Sequence, residues 1–165
     1  MARRSLLVTC MVLAALGLGP RTAVAAGTWI WPVTGPVIAA FDPPASPYGA
    51  GHRGIDIAAP LGTPVLATAA GVVTFAGTVG GGLFVTVDHG GGLESRYSFL
   101  GVLLVEAGDA VLAGTVLGRS GAGHVGGSVP HLHLGVVLDD VYVDPLGYLV
   151  PLSVTPFLRL APLRP

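Results

Sequence analysis

Clusters of glycine divide the middle of this chain into short apolar segments, and this spacing limits what it can form. Glycines 80–82 and 90–92 flank residues 83–88, and segments starting at Gly62 and Gly108 both read Gly-x-x-Val-Leu-Ala. Short runs bounded by glycine indicate strands joined by turns, and no segment has the 3.6-residue period of an amphipathic helix. The chain is therefore predicted to be all-β: antiparallel sheets in a flattened, barrel-like sandwich, built from a duplicated strand-turn motif, with little helix.

The parts before and after this glycine-rich region carry weaker patterns. Residues 29–33 are predicted to form a first strand, and residues 37–41 a second strand after the turn at Gly35-Pro36. Near the other end, Asp144 followed by Pro145 predicts a single helical turn with the aspartate as its cap.

One short segment combines a histidine and a carboxylate at an even spacing. His52 and Asp56 are four residues apart, and the glycines around them make a helix unfavourable. In an extended segment, side chains alternate between two faces, so both residues lie on the same face. Ile55 and Ile57 are then expected to point into a core.

A second segment, some eighty residues later, has two histidines in strand alternation. His131 and His133 are separated by Leu132 and followed by Leu134. This pattern predicts two imidazoles on one face of a strand and two leucines on the other. If the two segments lie side by side, three histidines and one carboxylate meet.

This group of side chains has the chemistry of a zinc site. Catalytic zinc is typically held by three protein ligands, His nitrogen and carboxylate oxygen among them, and it lowers the pKa of a bound water to about 7. Four candidates for three positions leave one imidazole, which suits a general base. The residues alone leave open which histidine that is.

Five motifs in order resemble the lysostaphin-type (LytM-like) zinc endopeptidases. They lie at residues 52–65, 69–77, 85–90, 108–114 and 130–133, so the resemblance covers roughly residues 30–150. It implies a zinc endopeptidase that cuts peptide cross-links of bacterial peptidoglycan, with its stem or cross-bridge peptides as substrate.

The resemblance also implies roles for individual residues. His52, Asp56 and His133 correspond to the zinc ligands, and His131 to the imidazole that orients or deprotonates the attacking water. The family usually has a transition-state-stabilising histidine at the position of Phe99. Losing one such donor typically costs about 10²–10³ in rate.

This departure supports a second hypothesis, in which the chain is a catalytically weakened or inactive zinc-binding member. Such a protein binds wall peptide or regulates other murein hydrolases. Tyr97 and His124 are candidates to cover the missing donor, although His124 lies among glycines and is expected by default to be a mobile loop histidine. His89, at the end of a strand, is expected to bond turn backbone.

The ends of the chain predict its location. Residues 1–26 resemble a secretory signal: Arg3 and Arg4 precede an apolar run at 5–19, shorter than the about 20 residues that span a bilayer. Residues 27–150 are expected to form the peptidase-like domain and 151–165 a proline-rich tail. A secreted, cell-wall-associated monomer is expected, without a membrane span after cleavage.

Charge argues against nucleic acid as a partner. Of eight basic residues, three (Arg3, Arg4 and Arg21) lie in the signal-like segment, which leaves five against nine acidic residues, a formal charge of −4. No basic patch remains to neutralise phosphates.

Overall fold

The described part of the molecule is built almost entirely from strands. The computed structural model describes residues 28–46, 49–124, 127 and 129–151. In chain order the elements are β1 (Val37–Ala39), β2 (Ile55–Ala58), β3 (Pro64–Leu66), β4 (Gly71–Val79), β5 (Gly82–Asp88), β6 (Leu93–Leu103), β7 (Ala110–Val111), β8 (Val116–Ser120), β9 (His131–Leu138), β10 (Val141–Val143) and a 3₁₀ helix (Pro145–Gly147). The predicted all-β class is confirmed.

The strands form one antiparallel sheet whose main path runs β1-β2-β9-β6-β5-β4-β7. The remaining strands branch from this path: β10 pairs with β9, and β8 joins β3 to the far end of β6. Among the described residues the two ends of the path, β1 and β7, do not pair. The predicted barrel-like shape is therefore only loosely realised, because the sheet stays open.

The two halves of the predicted duplication both form strands, and they lie in different parts of the sheet. The Gly62 segment becomes β3 and pairs with β8, whereas the Gly108 segment becomes β7 and pairs with β4. The ends of the two segments meet, because the Ala67 carbonyl accepts from the Gly114 N–H at 2.9 Å and the Thr115 carbonyl accepts from the Ala67 N–H at 2.8 Å.

Alternation along β2 and β9 places the core on one face of the sheet. Ile55, Ile57, Leu132 and Leu134 are fully buried. Burying side chains of this size contributes about 1.5–3 kcal/mol each. Asp56, His131 and His133 alternate with these core residues and point to the opposite face, as the sequence predicts.

The predicted first strand is wrong. Residues 29–33 form no strand; Trp29 makes one isolated parallel bridge to Leu149, and β1 begins only at Val37. The reason is tertiary: Trp29 is fully buried in the core, against the rings of His89 and Tyr148 at 4.6 and 5.1 Å. This packing and scattered backbone hydrogen bonds, among them Trp29 N–H to the Tyr148 carbonyl at 2.9 Å and Ile30 N–H to the Thr68 carbonyl at 3.0 Å, hold the segment without a regular strand ladder.

The predicted helical turn is present. Asp144 caps the 3₁₀ helix, and its side chain accepts from the Leu146 N–H at 2.9 Å. The signal-like residues 1–26 and the tail beyond residue 151 lie outside the described residues. In the part of the chain that is described, no helix has the length and apolar character needed to cross a membrane.

Candidate metal centre

The site forms where β2 and β9 pair. Asp56 lies opposite His133, and Ala58 lies opposite His131, in an antiparallel register. Because side chains alternate with a period of two, a slip of one residue would turn the isoleucines and leucines outward and the carboxylate inward. The apolar core therefore also sets the orientation of the polar site.

Three donor atoms converge on this face. The Nε2 atom of His52 lies 3.0 Å from the Oδ1 atom of Asp56 and 3.0 Å from the Nδ1 atom of His133. The third distance, from His133 Nδ1 to Asp56 Oδ1, is 2.8 Å. His52 reaches this position from an isolated bridge to Asp42, ahead of β2, rather than from within a continuous strand.

The backbone orients the His52 ring. Its Nδ1 atom lies 2.7 Å from the carbonyl oxygen of Ala40. A carbonyl can only accept, so Nδ1 carries the proton and Nε2 of the neutral ring keeps its lone pair. Such a backbone partner is the usual support of a metal-binding histidine.

These three atoms fit a metal ion with zinc-like preferences. Two imidazole nitrogens and one carboxylate oxygen match the donor types that zinc takes. A triangle with edges of 2.8–3.0 Å has its centre less than about 2 Å from each corner. Bonds of about 2.0–2.2 Å therefore reach all three atoms from a point slightly outside their plane.

The charge of Asp56 suits the same role. Burial by itself raises the pKa of this carboxyl group. The hydrogen bond from His133 and the positive potential of His52, His133 and His131 outweigh burial, so the pKa of Asp56 is strongly lowered. The carboxyl group is therefore held as an anion among these histidines.

His131, the fourth candidate, lies beside the triangle. Its side chain is almost fully buried, and its Nε2 atom is 3.8 Å from the Oδ2 atom of Asp56. The carbonyl of Val129 accepts from Nδ1 at 2.7 Å, which leaves Nε2 unprotonated in the neutral ring. All four residues singled out from the sequence therefore come together.

His124, expected by default to be a mobile loop histidine, also reaches the site. Its Nε2 atom is 3.2 Å from the Oδ2 atom of Asp56, and its ring stands edge-on to that of His131 at 4.6 Å. In the sequence, the glycine before His124 is the feature that indicates a close approach of the loop to the site. Gly123 has a φ of +89°, and a Cβ there would lie 2.2 Å from Cε1 of His131.

Phe99 occupies the rim of the same site. Its ring centre is 5.9 Å from that of His124 and 6.3 Å from that of His133. Its φ of +63° is unusual for a bulky residue and turns the side chain out of the regular alternation of β6. Phe99, which stands where the family usually has a histidine, thus lies at the site.

His89 lies away from the site and has the structural role that the sequence predicts. Its Nδ1 and Nε2 atoms bond the Ala70 carbonyl at 2.7 Å and the Ser95 hydroxyl at 2.8 Å. The adjacent Asp88 accepts from the N–H of Gly90 in the turn at 2.8 Å.

A groove leads to the site from the side of β4 and β5. Its volume is ≈ 270 Å³, and His133 is one of its lining residues. Phe75, Val79 and Phe84 form an apolar wall, and Arg96 and Tyr142 are among the polar lining residues. Arg96 is held in place by Glu94 at 2.8 Å and by the Tyr142 hydroxyl at 2.9 Å.

Comparison with known proteins places this geometry in a family. The model of "Peptidase family M23" matches residues 50–145, which include Asp56, Phe99 and the four histidines of the site. The chain belongs to peptidase family M23. The resemblance to lysostaphin-type peptidases is thereby confirmed.

Relatives of this M23 chain come from several bacteria. An uncharacterized protein of Mycobacterium tuberculosis is 38% identical over 97% of the chain, which spans 64% of that relative's length. The DD-carboxypeptidase/endopeptidase Mpg of Neisseria meningitidis is 41% identical over 61% of the chain and 23% of the relative. The crystal structure of a zinc containing peptidase from Vibrio cholerae has a TM-score of 0.64 at 27% identity, over 75% of this chain and 41% of that one.

Proposed function

We propose that this protein is a secreted zinc metalloendopeptidase that hydrolyses peptide cross-links of bacterial peptidoglycan. The observation that carries the proposal is the triangle of His52 Nε2, Asp56 Oδ1 and His133 Nδ1 beside the unprotonated Nε2 of His131. Membership of family M23 supports the reaction, and the names of the relatives support the metal and the substrate class. Action outside the cytoplasm follows from that substrate and from the signal-like start of the sequence.

His52, Asp56 and His133 hold the metal in this proposal. When bound, zinc supplies Lewis acidity that polarises the scissile carbonyl and lowers the pKa of water to about 7. His131 accepts the proton of the attacking water at Nε2, because the Val129 carbonyl keeps the other proton on Nδ1. The same nitrogen then delivers that proton to the leaving amine.

The groove that His133 lines is the place for the substrate in this proposal. An extended peptide lying along β4 and β5 contacts the apolar wall of Phe75 and Val79, which are 39% and 53% exposed. Arg96 and Tyr142 face the same groove and offer polar contacts to peptide carbonyl or carboxylate groups. Held there, the scissile bond lies within reach of the site.

Phe99 favours a second candidate function. A member that binds wall peptide through the metal, without cleaving it, would regulate other murein hydrolases. The apolar ring stands where it offers no hydrogen bond to a developing charge, and one such donor is worth about 10²–10³ in rate.

One experiment separates the two functions. Zinc content and cleavage of peptidoglycan peptides are measured on the purified protein loaded with one equivalent of zinc, on His133→Ala, and on Leu112→Ala as a control at a side chain that is 72% exposed. Zinc in the wild type, with cleavage that is lost only in His133→Ala, is the expected result. Zinc without cleavage would support the regulatory function, and a protein that takes up no zinc would contradict both.

A further inference from the structure

The two oxygens of Asp56 contact different pairs of histidines. Oδ1 faces His52 and His133, whereas Oδ2 lies 3.2 Å from Nε2 of His124 and 3.8 Å from Nε2 of His131. Each set of three donor atoms lies within 4.8 Å of one another. One carboxylate is thus shared by two three-donor groups, an arrangement that suits two ions about 3.5–4 Å apart.

The donors of the second group are available to an ion. The Val129 carbonyl accepts from Nδ1 of His131, which leaves a lone pair on Nε2 of the neutral ring. The Ala40 carbonyl does the same for His52 in the first group. The backbone N–H of His124 lies 3.4 Å from this Nε2, at the long limit of a hydrogen bond, so little is lost when an ion replaces it. The side chain of His124 is 44% exposed, which opens the group to solvent.

The loop is built to bring His124 to this place. Gly123 and Gly127 both pass directly over the ring of His131, and a Cβ on either would lie within 2.2 and 2.9 Å of its Cε1 atom. Only glycine permits this close approach. The approach sets the His124 ring edge-on to His131, with both Nε2 atoms near the same carboxylate oxygen.

We propose that Asp56 Oδ2, His124 Nε2 and His131 Nε2 form a second, weaker site for a divalent transition-metal ion. The second ion lies close to the first and shares its single carboxylate, so Coulomb repulsion makes it bind later and less tightly. Zinc in this site ties up the lone pair of His131. Excess zinc therefore switches hydrolysis off, a consequence that rests on the proposed function, whereas the site itself does not.

Metal counting tests the site directly. The metal-free full chain is dialysed against buffered zinc, and bound zinc is counted by elemental analysis and by native mass spectrometry. The wild type is expected to take up zinc in two steps. His124→Ala is expected to keep the first step and to lose more than about 100-fold in affinity at the second, since even supporting residues are worth 10–100-fold.

Two further variants serve as controls for this result. Leu112→Ala changes a side chain that is 72% exposed and lies outside both donor groups, and it is expected to keep both steps. His124→Gln repeats the loss of the imidazole with a side chain of similar length. A wild type that saturates at one zinc, or a His124→Ala protein that keeps the second step, would overturn the site.

Hydrolysis at rising zinc concentration tests the regulatory role. Wild-type cleavage is expected to fall over the concentrations at which the second ion binds, and His124→Ala to stay active there. Inhibition that persists unchanged in His124→Ala would refute the switch. If no variant cleaves wall peptides at all, the proposed function fails, while the zinc count still decides the second site.

Discussion

At the residue scale, Asp56 lies close to every histidine of the candidate site. It is the carboxylate that four histidines face, two from β9 and two (His52 and His124) from loops. Its position opposite His133 in the strand register places the carboxylate at the centre of the group. A single buried carboxylate among four imidazoles attracts cations, and removing it would leave both donor groups without their oxygen ligand.

Phe99→His is the substitution that tests the apolar rim. Histidine tolerates a positive φ better than most residues, so the backbone at this position is not strained further. The new imidazole adds a donor beside His133, and we expect cleavage of wall peptides to rise by up to about 10²–10³. Steady-state kinetics on the variant, with Phe99→Leu as the apolar control, check this. An unchanged kcat would mean that no donor is missing.

Gly54→Ala tests how closely the backbone of the β2 segment packs against His133. A Cβ at Gly54 would lie 2.3 Å from the Leu134 carbonyl oxygen and 2.8 Å from Nε2 of His133. The ring has to move, and we expect zinc affinity to fall about 10–100-fold, as for other losses of ligand support. Zinc competition with a chromophoric chelator measures this.

Gly147→Ala is the matched control for that substitution, because a Cβ at Gly147 meets nothing within 4 Å. Its zinc affinity is expected to equal that of the wild type. Equal affinities for all three proteins would show that the site does not depend on this contact.

At the element scale, β6 links the site to the core. It pairs with β5 and β9 along its length, and Ser98 lies opposite His133. Inside the core its Tyr97 hydroxyl accepts from the Thr68 N–H at 2.8 Å and lies 3.0 Å from the Ser95 hydroxyl. Burial raises the pKa of Tyr97, so the network stays neutral. Together with His89 it fastens β6 to the segment between β3 and β4.

His89 makes this network sensitive to pH. Burial lowers its pKa below the ordinary value of 6.5, although the Ala70 carbonyl and Asp88 oppose the shift. The unfolded chain therefore binds a proton at a pH where the folded protein does not. The free energy of unfolding is expected to fall as the pH drops through 6.5 towards the lower folded-state pKa.

Chemical denaturation between pH 5 and 8 measures this dependence on wild type and His89→Gln. The two proteins differ only at this side chain, so the difference between the two curves isolates His89. We expect His89→Gln to be less stable at high pH and to lose less stability on acidification. Parallel curves would assign the pH dependence to other groups.

At the scale of the whole molecule, the metal would join parts of the chain that are distant in sequence. His52 lies before β2 and His133 in β9, 81 residues later. An ion that binds only the folded state stabilises it by RT ln(1 + [L]/Kd), about 4.1 kcal/mol at 1,000 times Kd. The sheet itself is held by core packing, so we expect the metal-free protein to remain folded with a lower Tm.

Thermal unfolding with zinc and with a strong chelator checks this. The wild type is expected to lose several degrees of Tm on chelation, and His133→Ala to show no such shift. A chelator effect of equal size in both proteins would place the stabilising ion elsewhere.

The loops account for most of what could not be predicted from the sequence. The glycine-bounded segments and the alternation of His131 and His133 were sufficient for the class of fold and for the face of each candidate ligand, because adjacent residues determine strand periodicity. Trp29 and its neighbours have the same local pattern, yet they form no strand. Their packing against His89 and Tyr148 depends on segments far along the chain.

The sequence by itself determined the all-β class, the family, and the set of His52, Asp56, His131 and His133. Each follows from local alternation or from motif order, which need no knowledge of the path between segments. Only the tertiary structure decided that the sheet stays open and that His124 faces Asp56. The open sheet depends on the geometry of many successive turns. The position of His124 depends also on Gly123, whose positive φ lets the loop lie against the ring of His131.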